Sequence, residues 1–181
     1  MLLKRSAKAI NAALAFSCFS ICFCSSRSSY SLDKALYFSV KGYNAPASKK
    51  GIATIFFVNK LDRESADFYK VFEDLKGKFG PMVCPMVVPH VVDHKVQCYV
   101  NLLEYRAYTY EDGKAKQVPI PDMGHRLEGL RTAMNEAVAE TSEEFMDKFF
   151  GGEDFTYAEM ITGLRQGVRE LSLFPVLCGS A

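Results

Sequence analysis

The residues best suited to specific chemistry sit in "IFFVNKLDR", Ile55 to Arg63, where an apolar run passes directly into Asn59, Lys60, Leu61 and Asp62. An amide, an ammonium and a carboxylate at the end of a buried strand suit a purine edge. Guanine presents N1–H and N2–H₂ together, and the Asp62 carboxylate can accept both as a fork. Adenine offers an acceptor at N1 and has no 2-amino group, so it would leave the carboxylate unpaired; sites built around such donors reject analogues lacking them. Asn59 can donate near N7 and tie loops together. Lys60 can lay its four-carbon stem over the flat base with its head in water, and Leu61 packs downward. The competing reading is structural: Asp62 as the cap of a helix beginning "RESADF", with Asn59 and Lys60 in a solvated loop.

Other chemistry-bearing groups read more plainly. Cys84, His90, His94 and Cys98 have the form C-x₅-H-x₃-H-x₃-C, but structural zinc sites place their ligands in closely spaced pairs. Buried cysteines with exposed histidines is the simpler reading. Glu128, Glu136, Glu140, Glu143 and Glu144 form a polar helix face. Arg165 and Arg169 lie one helical turn apart beside Glu170 on what reads as a solvated face. No Cys–His or Ser–His pair is spaced for a nucleophile, so neither a catalytic residue nor a metal ligand is nominated.

The elements that must position the loop follow from pattern. "GIATIFFV" is a continuous apolar and β-branched run, suited to a strand buried on both faces in a parallel sheet. "DRESADFYKVFEDLKGKFG" reads as a helix with Phe68, Val71, Phe72 and Leu75 as one stripe, ended by Gly77, Gly80 and Pro81. "MVCPMVVP", with Pro85 and Pro89, reads as an edge strand or strand pieces. "KVQCYVNLLEYRAYTY" and the turn at Asp112-Gly113 suggest an inserted antiparallel piece. Met123, Leu127, Leu130, Met134 and Val138 mark a helix face. Two capping boxes are expected, Thr141 with Glu144 and Thr156 with Glu159. "LFPVLCGSA" closes with a strand running into Gly179, Ser180 and Ala181. If the strands at 52–58 and 173–178 are parallel neighbours, the loops after them meet at the carboxyl edge of the sheet, where open α/β folds bind ligands. The backbone N–H of Ala181 can then meet guanine O6.

The chain has 181 residues, about half of them apolar and a quarter charged, enough for one domain with a core. Its net charge of +1 argues against a polyanionic partner, and no sequence-specific DNA binding is expected. Residues 1–50 hold eight Lys or Arg against one Asp, whereas the rest hold 14 against 20 acids. The opening "MLLKRSAKAINAALAFSCFSICFCSS" has a basic start and an apolar run shorter than the roughly 20 residues of a membrane span. It has the outline of an export signal, or of an extension not selected to fold. Residues 1–48 are therefore set apart from 49–181. Three of the six cysteines fall in that run; the other three make a poor disulfide framework.

From about Lys49 to Ala181 the sequence resembles the translational GTPases, and among them elongation factor G. "FVNKLDRESADFYKVFEDLKGKFG" is similar to that family's guanine-specificity stretch and the helix after it. "AVAETSEEFMDKFFGGEDFTYAEM" is similar to part of its inserted subdomain, and "LFPVLCGSA" to its last strand and second base-contacting loop. The resemblance implies an α/β fold, a partial P-loop-type GTPase domain contributing its last parallel strands, with an α+β insert at about 81–171. It implies GTP or GDP as ligand, with Asn59, Lys60, Asp62, Ser180 and Ala181 as its contacts. It further implies the ribosome and its stalk proteins as partners, and the cytoplasm or an organelle matrix as location.

The sequence departs from the family pattern in one decisive respect. It contains no G-x-x-x-x-G-K-[ST], neither switch region and no D-x-x-G, so no dedicated phosphate or magnesium ligands are recognised. In the insert, Val96, Cys98 and Asn101 stand where Phe, Gly and Asp are usual. GTP binding is expected to be weak or absent and hydrolysis is not expected. An in-frame phosphate loop encoded upstream of Met1 would make the chain a piece of an ordinary factor. Two other functions fit parts of the sequence: a non-catalytic module binding the ribosomal stalk or another protein through residues 123–171, and a small exported or membrane-attached protein directed by residues 2–24. A two-strand remnant would expose sheet edges, so poor solubility is expected of the isolated chain.

Overall fold

The computed structural model describes residues 19–24, 52–62, 66–111 and 113–179, the first of these segments as backbone only. Two four-stranded sheets organise them. The first contains β1 (Phe19–Cys24), β2 (Thr54–Asn59), β3 (Val83–Pro85) and β8 (Phe174–Cys178) in the order β1-β2-β8-β3. All its pairings are parallel, with Phe56 opposite Val176 and Val58 opposite Cys178. The second is an antiparallel meander of β4 (Val87–Val92), β5 (Lys95–Asn101), β6 (Arg106–Glu111) and β7 (Lys114–Val118). The architecture is thus mixed α/β with one sheet of each kind.

The expected parallel pairing of the strands at 52–58 and 173–178 is present, but they are not a two-strand remnant. They form the interior of a four-stranded sheet whose outer strands are β1 and β3. The apolar run read as signal-like contributes β1, in register with all six residues of β2. The edge hazard expected at Thr54–Asn59 is therefore removed, because that strand is paired on both sides. β3, which falls within the stretch 81–171, pairs with β8 in this sheet.

Alternation along β2 and β8 assigns their side chains to two faces. Phe56 meets Phe79 at 5.2 Å and Phe174 at 5.8 Å between ring centroids. Phe79 ends α1 (Phe68–Phe79), whose stripe Phe68, Val71, Phe72 and Leu75 is wholly buried. Ile55, Pro175 and Leu177 instead line a groove with Ile161, Leu164 and Val168 of α4 (Tyr157–Glu170). The parallel sheet is thereby covered by α1 on one face and α4 on the other, as continuous apolar strands require.

Helix ends differ from expectation in instructive ways. The cap of α1 is Asp67, whose side chain accepts from Lys70 N at 3.1 Å. Asp62 lies five residues earlier and does not cap this helix. Gly77 sits inside α1, and Gly80, at φ 66°, ends it. Met123 precedes α2 (His125–Ala139) rather than belonging to it. The cap of α3 (Glu143–Phe150) is Ser142, not Thr141, which instead turns its hydroxyl to Val138 O at 2.7 Å. The Thr156–Glu159 box opens α4 as expected, with both reciprocal hydrogen bonds formed.

α4 approaches its neighbours closely because two of its residues lack side chains. A Cβ on Gly163 would lie 2.6 Å from Val138 Cγ1, and one on Gly167 2.8 Å from Leu173 Cβ. Among the described residues, no helix is long and apolar enough to cross a membrane.

Candidate functional site

β2 ends at Asn59, and the chain then turns through Lys60 at φ 61°, a left-handed conformation that side-chain-bearing residues adopt at a cost of about 1–2 kcal/mol. The turn is held from within: Lys60 N donates to Asn59 Oδ1 at 2.8 Å. The Asn59 oxygen thus ties its own loop. Leu61 is 4% exposed and packs into the core, as its apolar character suggested, while Asp62 is exposed at the surface. A buried anchor between two polar neighbours is how a short loop presents a carboxylate without losing its own position.

The residue after β8 is tied to β2 just before this turn. Gly179 N donates to Val58 O at 3.0 Å, joining the two strand ends. A Cβ on Gly179 would lie 3.0 Å from the Phe57 ring, so glycine permits the close approach. Ser180 and Ala181, expected to complete a base pocket, lie outside the described residues. At the same edge Cys24, the last residue of β1, stands opposite Asn59.

The antiparallel sheet reaches this edge too. Met86 N donates to Val176 O at 2.9 Å, pinning the entry of β4 against β8. Three residues on, Pro89 O accepts from the Tyr69 hydroxyl at 2.7 Å, and Tyr69 lies in the first turn of α1. The Arg126 guanidinium sits 4.5 Å over the Tyr69 ring. Burial pushes the Tyr69 hydroxyl up to about 12 against the opposing Arg126 charge. Tyr99 is the cross-strand partner of Pro89, and its ring meets that of Tyr110 edge-on at 5.9 Å. Burial first, then the nearby Cys178, Tyr110 and Asp62, hold the Tyr99 hydroxyl protonated far above the ordinary range of a phenol.

The described cysteines do not offer a nucleophile or a metal cage. Burial pushes the Cys84 thiol up to about 12 and raises that of Cys178 well above its usual value. Cys98 is buried and stands opposite His90 in the pairing of β5 with β4. Among the described residues, no three His, Cys, Asp or Glu side chains cluster as metal ligands.

Sequence reasoning singled out Asn59, Lys60 and Asp62, which the fold holds in one turn, and placed Gly179 in the loop expected to face them; it did not single out Tyr69, Tyr99 or Tyr110. Tyr99 alternates with Cys98 and Val100 in "VQCYVN", so a side-by-side reading of that strand puts it on the opposite face. What that face meets depends on how the second sheet is held to β8, through Met86 N and Val176 O, which no local pattern encodes.

No family model matches the chain. A crystal structure of the protein ttk003000868 from Thermus thermophilus is similar to it, with a TM-score of 0.68 and 27% sequence identity over 78% of this chain. The match covers 21% of that protein, so the present chain spans about a fifth of its length.

Proposed function

We propose that this chain is a portion of a guanine-nucleotide-binding domain of the translational GTPase kind, similar to that of elongation factor G, retaining its base-recognition edge and its insert. The observation that carries the reading is that β2 and β8 are parallel neighbours ending together, with Gly179 N donating to Val58 O, so the Asn59–Asp62 turn and the residues after β8 leave the sheet at the same edge. A purine site of this type needs that juxtaposition of a strand-end carboxylate and a second strand-end main chain. The mixed α/β architecture, with β2 and β8 as parallel neighbours and a separate antiparallel sheet, is compatible with such a domain and its insert. Asp62 forks the guanine N1–H and N2–H₂, Lys60 covers the base and Leu61 anchors the turn. Ser180 and Ala181 follow Gly179 and complete the pocket.

Phosphate and magnesium chemistry is not assigned to this chain. Catalysis of phosphoryl transfer is almost wholly positioning and charge stabilisation by a phosphate loop, metal ligands and switch residues, none of which the sequence supplies. Binding through the base leaves GTP weakly held. Calorimetry of the 181-residue chain with GTP, GDP and ATP, paired with phosphate release, tests this. Weak guanine-selective heat without phosphate release is expected. A micromolar constant for GTP, or turnover, would overturn the assignment of base recognition without phosphate binding.

A second reading is favoured by the insert tip, where Phe150 is 79% exposed and Tyr157 57% exposed. Two large aromatics in water beside Glu153 and Asp154 suit a protein partner, and by resemblance that partner is the ribosomal stalk. A pull-down that depends on residues 123–171 and ignores GTP would favour this module function over nucleotide binding.

A further inference from the structure

The ties described above hold the strand pair that carries Tyr99. Met86 is held to β8 through Val176, Pro89 is held to the first turn of α1 through Tyr69, and Tyr99 is the partner of Pro89. The strand pair carrying Tyr99 is thus held beside the first turn of α1 and near β8, and after burial, Cys178 and Tyr110, the Asp62 charge also acts on the Tyr99 hydroxyl. Tyr99 is half-buried, with Tyr110 packed edge-on behind it and Tyr108 beside it across the strand. The Tyr108 hydroxyl is occupied by Glu104 at 2.9 Å, which fixes the neighbouring ring as well. Aromatic rings held by their neighbours on a sheet face make stacking platforms for nucleobases.

We propose that Tyr99, backed by Tyr110, is an aromatic wall of the purine site at the Asn59–Asp62 turn, so that the ligand class this chain takes is a guanine nucleoside or its monophosphate, held by the base. The inference rests on the guanine reading given above and adds to it a residue from the inserted sheet. It also gives the insert a role at the ligand: its sheet completes a site that the parallel strands leave open on one side. The fork at Asp62 reads the base, and the ring supplies contact area independent of base identity. Tyr110 acts through Tyr99, as a positioning residue. The Tyr99 hydroxyl stays neutral under burial and the neighbouring Asp62 charge, so the wall brings no anion to the site.

The test uses the full chain with guanosine 5′-monophosphate as probe and adenosine 5′-monophosphate as control, followed by NMR. Intermolecular NOEs are expected from the base H8 or ribose H1′ to the Tyr99 ring. Tyr99→Leu, which keeps an apolar filler, and Tyr110→Ala are expected to weaken guanosine monophosphate by about tenfold and a few-fold respectively, while Tyr99→Phe retains it. Guanine-selective binding that requires Asp62 but shows no Tyr99 NOE and is unmoved by Tyr99→Leu would overturn the wall and leave the guanine reading standing. Equal binding of the two monophosphates, or none at millimolar concentration, would overturn both. The NOE is read on the unsubstituted chain, so a misfolded variant does not rescue the proposal.

Discussion

Asp62 is the residue on which the proposed recognition turns. It is exposed in the turn that follows the largely buried β2, beside the buried Leu61. Asp62→Asn replaces one acceptor by an amide donor that opposes the guanine 2-amino group. It should abolish the preference for guanosine over adenosine monophosphate, a loss of about tenfold or more, and improve xanthosine monophosphate, whose 2-oxo group accepts. Competition NMR reads both. Lys60 presents the opposite case, because its backbone sits at φ 61°. Lys60→Gly relieves that conformation and should raise unfolding stability by about 0.5–1 kcal/mol in urea titration. The same change removes the stem that covers the base and so weakens the ligand. Stability gained with binding lost is the expected signature of a residue held in a strained conformation for its side chain.

At the scale of elements, α4 is the most constrained. Gly163 and Gly167 admit Val138, Thr141, Phe145 and Leu173 against its backbone. Gly167→Ala forces its Cβ onto Leu173 and Thr141 and should destabilise the fold by about 1–3 kcal/mol, despite alanine's better helix propensity; denaturant unfolding measures it. The start of the same helix carries a pH dependence. Glu159 accepts from Lys148 at 2.8 Å and from Thr156 N and Oγ1 at 2.7 Å. The Lys148 hydrogen bond, followed by those from Thr156, lowers its pKa from 4.5 to about 2. A carboxyl depressed in the folded state contributes stability that is present above its unfolded value and lost as pH falls through the folded one. The difference in melting temperature between the unsubstituted chain and Glu159→Gln should therefore be full above about pH 5 and shrink toward pH 2. A constant difference would remove Glu159 from the cap.

These elements differ in how far the sequence discloses them. The β2 strand, the α1 stripe and the Thr156–Glu159 box are legible because each is a local pattern. The Thr141 reading fails because Ser142 competes one residue later, and the choice between two hydroxyls depends on where α2 ends. β1 is hidden because a short apolar run after a basic start has the same composition as a signal; only its pairing with β2 distinguishes the two. Tyr99 is hidden because sequence alternation gives faces but not which face another sheet will meet.

Among the described residues, the parallel sheet is covered by α1 and α4 and tied to the antiparallel sheet through β8, and β2 and β8 end together so that Asn59, Asp62 and Gly179 share one edge. On the proposed reading that edge takes a base and lacks a phosphate loop, so low affinity with guanine selectivity is what the proposal predicts. The direct measurement is amide chemical-shift mapping of the labelled 181-residue chain with guanosine and adenosine 5′-monophosphates. The expected result is saturable shifts at Asn59, Lys60, Leu61, Asp62 and Gly179 with the guanine nucleotide and not with the adenine one. Equal shifts with both, or guanine-dependent shifts confined to residues away from these, would contradict base recognition at this turn.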